Sequence, residues 1–331
     1  MHRMTNFEYS FLVDELSILT GKHFDRIRKL DDGIYRIKIS NHEILCELGT
    51  RIHFTNYIEK SEQTDKFTEK VAKELDNAKL KEIKQINKDR IVMFDFDKGQ
   101  LIFEMFGEGN AILVNNNITV TAVRYESWSG REIKPGLPYL PPKNIPSEKL
   151  ELSERYVIVS LMKLPMGKDY VIEALTRAKI NEKTSGISLT TNEKTNLEKE
   201  LKKIYAETSP IVFYDDEKVV DFGLINLSKY QTSSNKKFKT LSEAADEYYS
   251  KVEKSNPKLE KLISRLEKQQ ERLEDLIQEE KNFKENGDLV YAKYQSIETL
   301  INLAKEGKFE ELEIRYKAKI DKKEKSLEVD L

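Results

Sequence analysis

Three short apolar runs, separated by turns that contain Gly and Asn, occupy most of residues 87–116. The runs cover positions 91–96, 101–106 and 112–114. Runs this short, broken by glycine and asparagine, are typical of β-strands that are joined by tight turns. We therefore predict an antiparallel three-stranded meander here, and the neighbouring segments are interpreted from it.

Charged residues interrupt the apolar pattern at two places. Asp89 and Arg90 directly precede the first predicted strand, and Glu104 lies inside the second among large apolar residues. Because an unpaired carboxylate is costly to bury, Glu104 either points to solvent or has a role that needs its charge. Asp89 and Arg90 form either a local ion pair, which contributes little to stability, or part of a binding site. The residues alone leave both interpretations open.

The same stretch resembles the core of the NFACT family of ribosome quality-control factors. The family pattern is Asp-Arg-Ile, then a Glu followed by two apolar residues and Gly, then Gly-Asn-x-Ile-Leu-Val. Here it reads DRI at 89–91, EMFG at 104–107 and GNAILV at 109–114. In the family, the Asp-Arg pair and the Glu-led triplet are implicated in recruiting transfer RNA. The resemblance therefore assigns transfer-RNA binding to Asp89, Arg90, Glu104, Met105 and Phe106.

Two further family motifs and one further family position occur along the chain. Residues 49–55 resemble Gly-x-Arg-Ile-His-x-Thr. Residues 131–142 resemble Arg-x-x-x-Pro-Gly-x-x-Tyr-x-x-Pro-Pro, with one residue fewer between the Tyr and the two Pro. These motifs make Arg51, His53 and Arg131 candidates for facing RNA. Glu8 stands where the family commonly has a functional Asp, so it is added to the transfer-RNA-binding residues. The alternative for Glu8 is a helix-start carboxylate that favours the helix dipole.

Composition limits the function classes. The 331 residues carry a formal net charge of −2, whereas unspecific phosphate neutralisation needs a basic excess. Any RNA contact must therefore be local. The single cysteine, Cys46, excludes an internal disulfide framework. The four histidines have no partners at metal-ligand spacing, so we expect no metal, and no phosphate-cradling or nucleophile motif points to a cofactor or an enzyme.

Four segments are predicted, with an α+β fold class. Residues 1–147 form an NFACT-N-like domain, with a helix at 4–20, three strands between 24 and 48, and a helix at 64–86. The resemblance implies that this β-rich domain is similar to the N-terminal fold of formamidopyrimidine-DNA glycosylases. Residues 148–209 form a helix-hairpin-helix-type helical module. Residues 210–254 return to strands and a helix, and residues 255–331 form a coiled coil and the start of the following region.

The last segment shows a seven-residue apolar repeat, which is the pattern of a coiled coil. The repeat positions are Leu259, Leu262, Leu266, Leu273, Leu276 and Phe283, continuing through Val290, Tyr294, Ile297, Ile301 and Ala304. Whether the helix continues through Asn286-Gly287 or turns there is open, as is the partner of the apolar seam. A strand-like alternation follows at Leu327, Val329 and Leu331. We expect the chain to be an N-terminal fragment that lacks the family's C-terminal RNA-binding domain.

The resemblance implies an RNA-binding adaptor of ribosome-associated quality control. Its partners would be transfer RNA and the large ribosomal subunit with peptidyl-transfer RNA, where residues, alanine foremost, are added to stalled chains without a messenger. Which transfer RNA is preferred stays open. We expect a cytoplasmic protein, because no apolar run approaches a membrane span and charges occur too early for a signal peptide. The alternatives are a coiled-coil scaffold that self-associates without RNA affinity, a surface adhesin, and a glycosylase-like DNA-binding protein.

Overall fold

The computed structural model describes residues 1–57, 62–128, 130–143, 146–147, 149–254, 291–321 and 326–328, with scattered positions between 265 and 288. The chain divides into two compact units, Met1–Ser255 and Asn256–Leu331. The predicted mixed α and β composition, with a β-rich N-terminal region, is confirmed. None of the helices among these described residues is long and apolar enough to cross a membrane.

Helix α1 (Asn6–Leu16) begins the first unit, and a short 3₁₀ turn at Ser17–Leu19 follows it. Thr5 caps this helix, because its side chain accepts from the Glu8 N–H while the Glu8 side chain accepts from the Thr5 N–H. The first sheet then has the order β1-β2-β3-β4. Its antiparallel strands are β1 (Phe24–Asp31), β2 (Ile34–Ile39), β3 (His42–Glu47) and β4 (Arg51–Phe54).

The predicted meander is confirmed as the centre of a second, five-stranded antiparallel sheet of order β5-β6-β7-β8-β9. The strands are β5 (Leu80–Gln85), β6 (Ile91–Phe96), β7 (Gln100–Glu104), β8 (Asn110–Asn115) and β9 (Ile118–Ala122). Alternate residues face opposite sides, as the pleat requires. One face packs into the main core through Phe94 and Phe103. The other face packs into a smaller core with Tyr139.

The predicted helix at 64–86 is wrong in its second half. Helix α2 spans only Lys66–Glu74, and Leu80–Gln85 is strand β5. A register shift between Leu80 and Glu82 inserts an extra residue into the strand, so Leu80 and Ile83 are both buried although they are three apart. This spacing also fits one face of a helix, which explains the misassignment.

Two glycines bring the ends of the two sheets into contact. Gly49 lies in the β3–β4 turn with φ +75°, and Gly109 precedes β8 with φ +68°. A Cβ on Gly49 would lie 2.6 Å from the Gly107 carbonyl oxygen, and a Cβ on Gly109 would lie 2.1 Å from the Gly49 nitrogen. Only residues without a side chain allow the two backbones to approach this closely.

Most of the remaining elements of the first unit pack onto the main core, whereas Ile133 packs into the smaller core. The remaining elements include the hairpin β10 (Glu126–Trp128) and β11 (Arg131–Ile133), helices α3 (Val157–Leu161), α4 (Lys168–Ala178), α5 (Thr191–Ala206) and α6 (Leu241–Lys254), and strands β12 (Ile211–Asp215), β13 (Lys218–Gly223) and β14 (Ser234–Lys237). Phe7, Leu197 and Ile211 belong to one buried cluster, so the three segments predicted within residues 1–254 share one core. Glu15 joins α1 to α6, because its carboxylate accepts the Ser242 N–H at 3.1 Å.

The second unit contains helices α7 (Tyr294–Lys305) and α8 (Phe309–Tyr316) and the hairpin β15 (Lys319–Asp321) and β16 (Ser326–Glu328). Leu300, Leu312 and Ala318 form its described core. Of the predicted strand-like alternation, Leu327 lies in β16 and pairs with Ile320, whereas Val329 and Leu331 lie outside the described residues.

The coiled coil stays a prediction. Among the predicted repeat positions, Leu259, Leu262 and Val290 lie outside the described residues, as does Asn286. Leu266 and Phe283 are exposed by 55% and 73%.

Candidate nucleic-acid interface

The two segments of the transfer-RNA motif meet at one end of the second sheet. The Met105 N–H donates to the Arg90 carbonyl oxygen at 2.7 Å, immediately beyond the paired ends of β6 and β7. Glu104 pairs in register with Ile91 on one side and with Asn110 on the other. The sheet register therefore brings together motif residues that are about fifteen positions apart in sequence.

Asp89 and Arg90 form no ion pair with each other. One Asp89 oxygen, Oδ1, accepts the Arg90 backbone N–H at 2.7 Å. The Arg90 side chain is half-buried, and it has no hydrogen-bond or ion-pair partner within the described part of the chain. The interpretation as a local ion pair is therefore wrong, and the guanidinium is available to a ligand.

Glu104 is buried, with 1% exposure, and does not point to solvent. Its Oε1 accepts a hydrogen bond from Arg131 Nη2 and one from the Tyr139 hydroxyl at 2.8 Å. Burial raises the pKa of Glu104 above its usual range, although Arg131 and Tyr139 oppose that shift. The hairpin β10–β11 and the proline-rich segment after it supply both partners, so residues 131–142 complete a site that begins in β7.

A cavity of about 590 Å³ opens beside this ion pair. Phe106, Trp128, Leu140 and Lys143 are among the residues that line it, together with Glu104 and Arg131. The guanidinium of Arg131 lies 5.0 Å from the centre of the Trp128 ring, and 47% of Trp128 is exposed. The cavity thus combines a buried carboxylate, a cation and an accessible aromatic face.

Met105 and Asn110 belong to the same motif, but the contacts of their side chains are structural. Met105 faces the main core with 1% exposure, so its side chain supports the site by packing and contacts no solvent. Asn110, which sequence reasoning gave no role, exchanges two hydrogen bonds with the backbone of Arg124, at 2.9 and 3.0 Å. The Gly-Asn pair of the family motif could have pointed to this role of Asn110, because a buried side-chain amide that bonds to backbone groups fixes a loop.

Glu8 lies apart from this cavity, at the buried start of α1. Its carboxylate is fully buried and accepts hydrogen bonds from the Tyr170 hydroxyl at 2.6 Å and the Thr5 N–H at 2.7 Å. His2 lies 3.1 Å from Glu8 Oε2 and 2.6 Å from Asp221 Oδ1. The alternative interpretation, a helix-start carboxylate, is confirmed, and Glu8 has no surface to offer to RNA.

Replacing His2 with glutamine tests this buried network. Burial by itself lowers the pKa of His2, but Glu8 and Asp221 together raise it to about 10. A raised folded-state pKa stabilises the protein fully below the unfolded value near 6.5 and loses that effect as the pH rises to about 10. We expect His2→Gln to cost about 3 kcal/mol at pH 6 and progressively less up to pH 10, measured by urea unfolding. A cost that does not change with pH would contradict a charged His2.

Arg51 and His53 do not face solvent, so the prediction that they face RNA is wrong. Their exposures are 2% and 0%. Helix α6 covers both: the Arg51 guanidinium lies 3.9 Å from the centre of the Tyr249 ring, and His53 stacks on the same ring. Burial and the nearby Arg51 lower the pKa of His53 to about 3, so this histidine is neutral. The described residues hold no cluster of three or more His, Cys, Asp or Glu that could bind a metal ion.

The fold matches solved structures of two bacterial proteins that are named for binding fibrinogen or fibronectin. The fibrinogen-binding protein from Staphylococcus aureus superposes with a TM-score of 0.59 at 19% identity, covering 74% of this chain and 98% of that one. The N-terminal part of the fibronectin/fibrinogen-binding protein from Streptococcus suis superposes with a TM-score of 0.57 at 20% identity, covering 75% and 99%. At these identities the likeness establishes the class of fold.

Sequence comparison gives the family. The model for the NFACT N-terminal and middle domains matches residues 7–330. The archaeal Rqc2 homologue aRqcH of Methanocaldococcus jannaschii is 30% identical over 359 residues, covering 92% of this chain and 52% of that protein. The ribosome quality control complex subunit NEMF homologue of Drosophila melanogaster is 27% identical over 188 residues, 53% of this chain and 19% of that protein. The chain belongs to the NFACT family, and it spans about half the length of its archaeal relative.

Proposed function

We propose that this chain is the RNA-binding head of a ribosome quality-control factor and that it binds transfer RNA at the end of the second sheet. The observation that carries the proposal is the guanidinium of Arg90, which has no hydrogen-bond or ion-pair partner among the described residues, at the same end of the sheet as Glu104. The names of the archaeal and animal relatives, which are ribosome quality-control proteins, support it.

The chemistry of this end of the sheet suits folded RNA. An arginine fork binds phosphate or the edge of guanine through two parallel hydrogen bonds, which suits Arg90. RNA loops present unstacked bases that stack on aromatic rings and on arginine planes. The exposed face of Trp128, with the Arg131 guanidinium 5.0 Å from its ring centre, offers such a platform beside the cavity. Contacts of this kind need no overall basic charge.

In the complete process, the protein would hold charged transfer RNA on a large ribosomal subunit that is obstructed by peptidyl-transfer RNA. The ribosome would then add residues, alanine foremost, to the stalled chain without a messenger. The protein supplies placement and the ribosome supplies the chemistry, so we propose a cytoplasmic adaptor that is not an enzyme.

The test is binding of the purified chain to bulk transfer RNA at near-physiological salt. We expect Arg90→Ala to weaken binding about 10-fold to 100-fold, because a guanidinium contact of this kind is lost. Its melting temperature should stay close to that of the wild type, since the side chain has no described intramolecular partner. Arg26→Ala, which removes a half-exposed arginine from the first sheet, is the matched control and should bind as the wild type does.

Two outcomes would contradict the proposal. Unchanged transfer-RNA affinity in a folded Arg90→Ala variant would show that the motif end is not the RNA site. Fibrinogen binding without transfer-RNA binding would favour the activity for which the Staphylococcus aureus protein is named.

A further inference from the structure

Two side-chain amides hold the β5–β6 turn in place behind Arg90. Gln85 Nε2 donates to the carbonyl oxygens of Asn6 and Asp89, each at 2.8 Å. Asn6 Nδ2 donates to the Lys88 carbonyl oxygen at 3.1 Å and to Asp89 Oδ1 at 3.4 Å. Four hydrogen bonds therefore join the last residue of β5, the first residue of α1 and the turn itself.

This turn requires support from its surroundings. Asn87 and Lys88 have φ values of +55° and +53°, so both central residues of the tight turn are left-handed. Asparagine adopts this conformation readily, whereas a lysine there is strained. Strained backbone persists where the structure around it fixes it, and such positions cluster at binding sites. The amide bonds of Gln85 and Asn6 provide that restraint directly.

Helix α1 is a rigid anchor for these bonds. Asn6 is the first residue of the helix, directly after the Thr5 cap. A Cβ on Gly167 would lie 2.6 Å from Thr5 Cγ2, so the turn before α4 packs tightly against this cap. Glu8, in the first turn of the helix, is held by the Tyr170 hydroxyl. The position of α1, and through it the position of the turn, is therefore set by the helical segment of the unit.

We propose that Gln85 and Asn6 are positioning residues that direct Arg90 toward RNA. The inference rests on the proposed function, because it concerns the same guanidinium. The Arg90 backbone is fixed on both sides, by Asp89 Oδ1 at its N–H and by the Met105 N–H at its carbonyl. The two amides fix Asp89 in turn, so they limit the directions that the side chain samples before RNA arrives. Such pre-organisation lowers the entropic cost of binding.

The experiment is a double-mutant cycle on transfer-RNA binding by the full chain. Gln85→Met keeps the length of the side chain and removes its donors. Asn6→Ala, the second variant, removes the other amide and introduces a strong helix former. We expect each to weaken binding about tenfold, as the loss of an ordered contact does. In an Arg90→Ala background, neither should weaken binding further, because both act through that residue.

Gln100→Met is the matched control, since Gln100 lies at the opposite end of β7 and its side chain makes no hydrogen bond to any described residue. It should bind as the wild type does. A structural readout accompanies the cycle: the Arg90 amide should exchange its hydrogen faster in Gln85→Met, while strands β7 and β8 keep their protection.

The outcomes distinguish a failure of the positioning role from a failure of the proposed function. Losses that add to that of Arg90→Ala, or no loss in a folded Gln85→Met or Asn6→Ala variant, would overturn the positioning role and leave the proposed function intact. An Arg90→Ala variant that binds normally would overturn the proposed function itself, and the positioning role with it.

Discussion

Replacing Gly109 with alanine should destabilise the first unit by more than about 4 kcal/mol. The added Cβ would lie 2.1 Å from the Gly49 nitrogen and 2.6 Å from the Leu48 carbonyl carbon. Both are backbone atoms, so no side chain can rotate away to make room. Relief requires the β3–β4 turn to separate from the end of β8, and that contact joins the two sheets. Thermal and urea unfolding of the chain would measure the loss.

Gly107→Ala is the matched control for this prediction. Gly107 lies in the same turn with φ +60°, but a Cβ there would meet no atom within 4 Å. Its cost should be limited to the left-handed backbone, about 1–2 kcal/mol. If both alanine variants lost the same stability, conformational strain alone would explain the glycines and the close approach of the sheets would have no energetic role.

Replacing Arg131 with methionine should cost about 3–5 kcal/mol, the effect of removing one partner of a buried ion pair. The side chains of Arg131 and Glu104 are exposed by only 10% and 1%, and methionine keeps much of the volume of the arginine stem. Glu104 would remain buried with the Tyr139 hydroxyl as a donor but without a compensating cation. The double variant Glu104→Gln/Arg131→Met should recover part of the loss, because the charge is gone.

The pH dependence of this variant has a definite sign. Burial already raises the pKa of Glu104 in the folded state, so ionisation of the group opposes folding above the unfolded value of about 4.3. Without Arg131 the folded-state pKa rises further. The deficit of Arg131→Met should therefore be largest at pH 7 and should shrink as the pH falls toward 4. Urea unfolding at several pH values would show it, and a deficit independent of pH would mean that Glu104 is neutral in the wild type.

Local sequence patterns predicted the central strands well. Short apolar runs between turns that contain Gly and Asn predicted β6, β7 and β8. A strand whose two faces are both buried is apolar at nearly every position, so it can be recognised from its own sequence. The same reasoning failed at Leu80 and Ile83, because a bulge changed the period of the strand from two residues to three. Irregular pairing of this kind depends on the partner strand and is not encoded in the spacing of one segment.

Side-chain burial was the part of the site that local sequence could not supply. Arg51 and His53 belong to a recognisable motif, but helix α6, almost two hundred residues later, covers both of them. His2 had no partner at short sequence separation, and the fold places it between Glu8 and Asp221. Contacts at such separations follow from the packing of whole elements.

The sequence by itself determined the family, the strand order around Asp89 and Glu104, and the residue types at the proposed RNA site. These follow from local patterns and from motifs that keep their order along the chain. Only the tertiary structure decided which of those charged groups are available to a ligand. It pairs Glu104 with Arg131, encloses Glu8 and leaves the Arg90 guanidinium unpaired among the described residues. The physical reason is that the free energy of a charged group depends on its burial and its partners, and distant segments supply both.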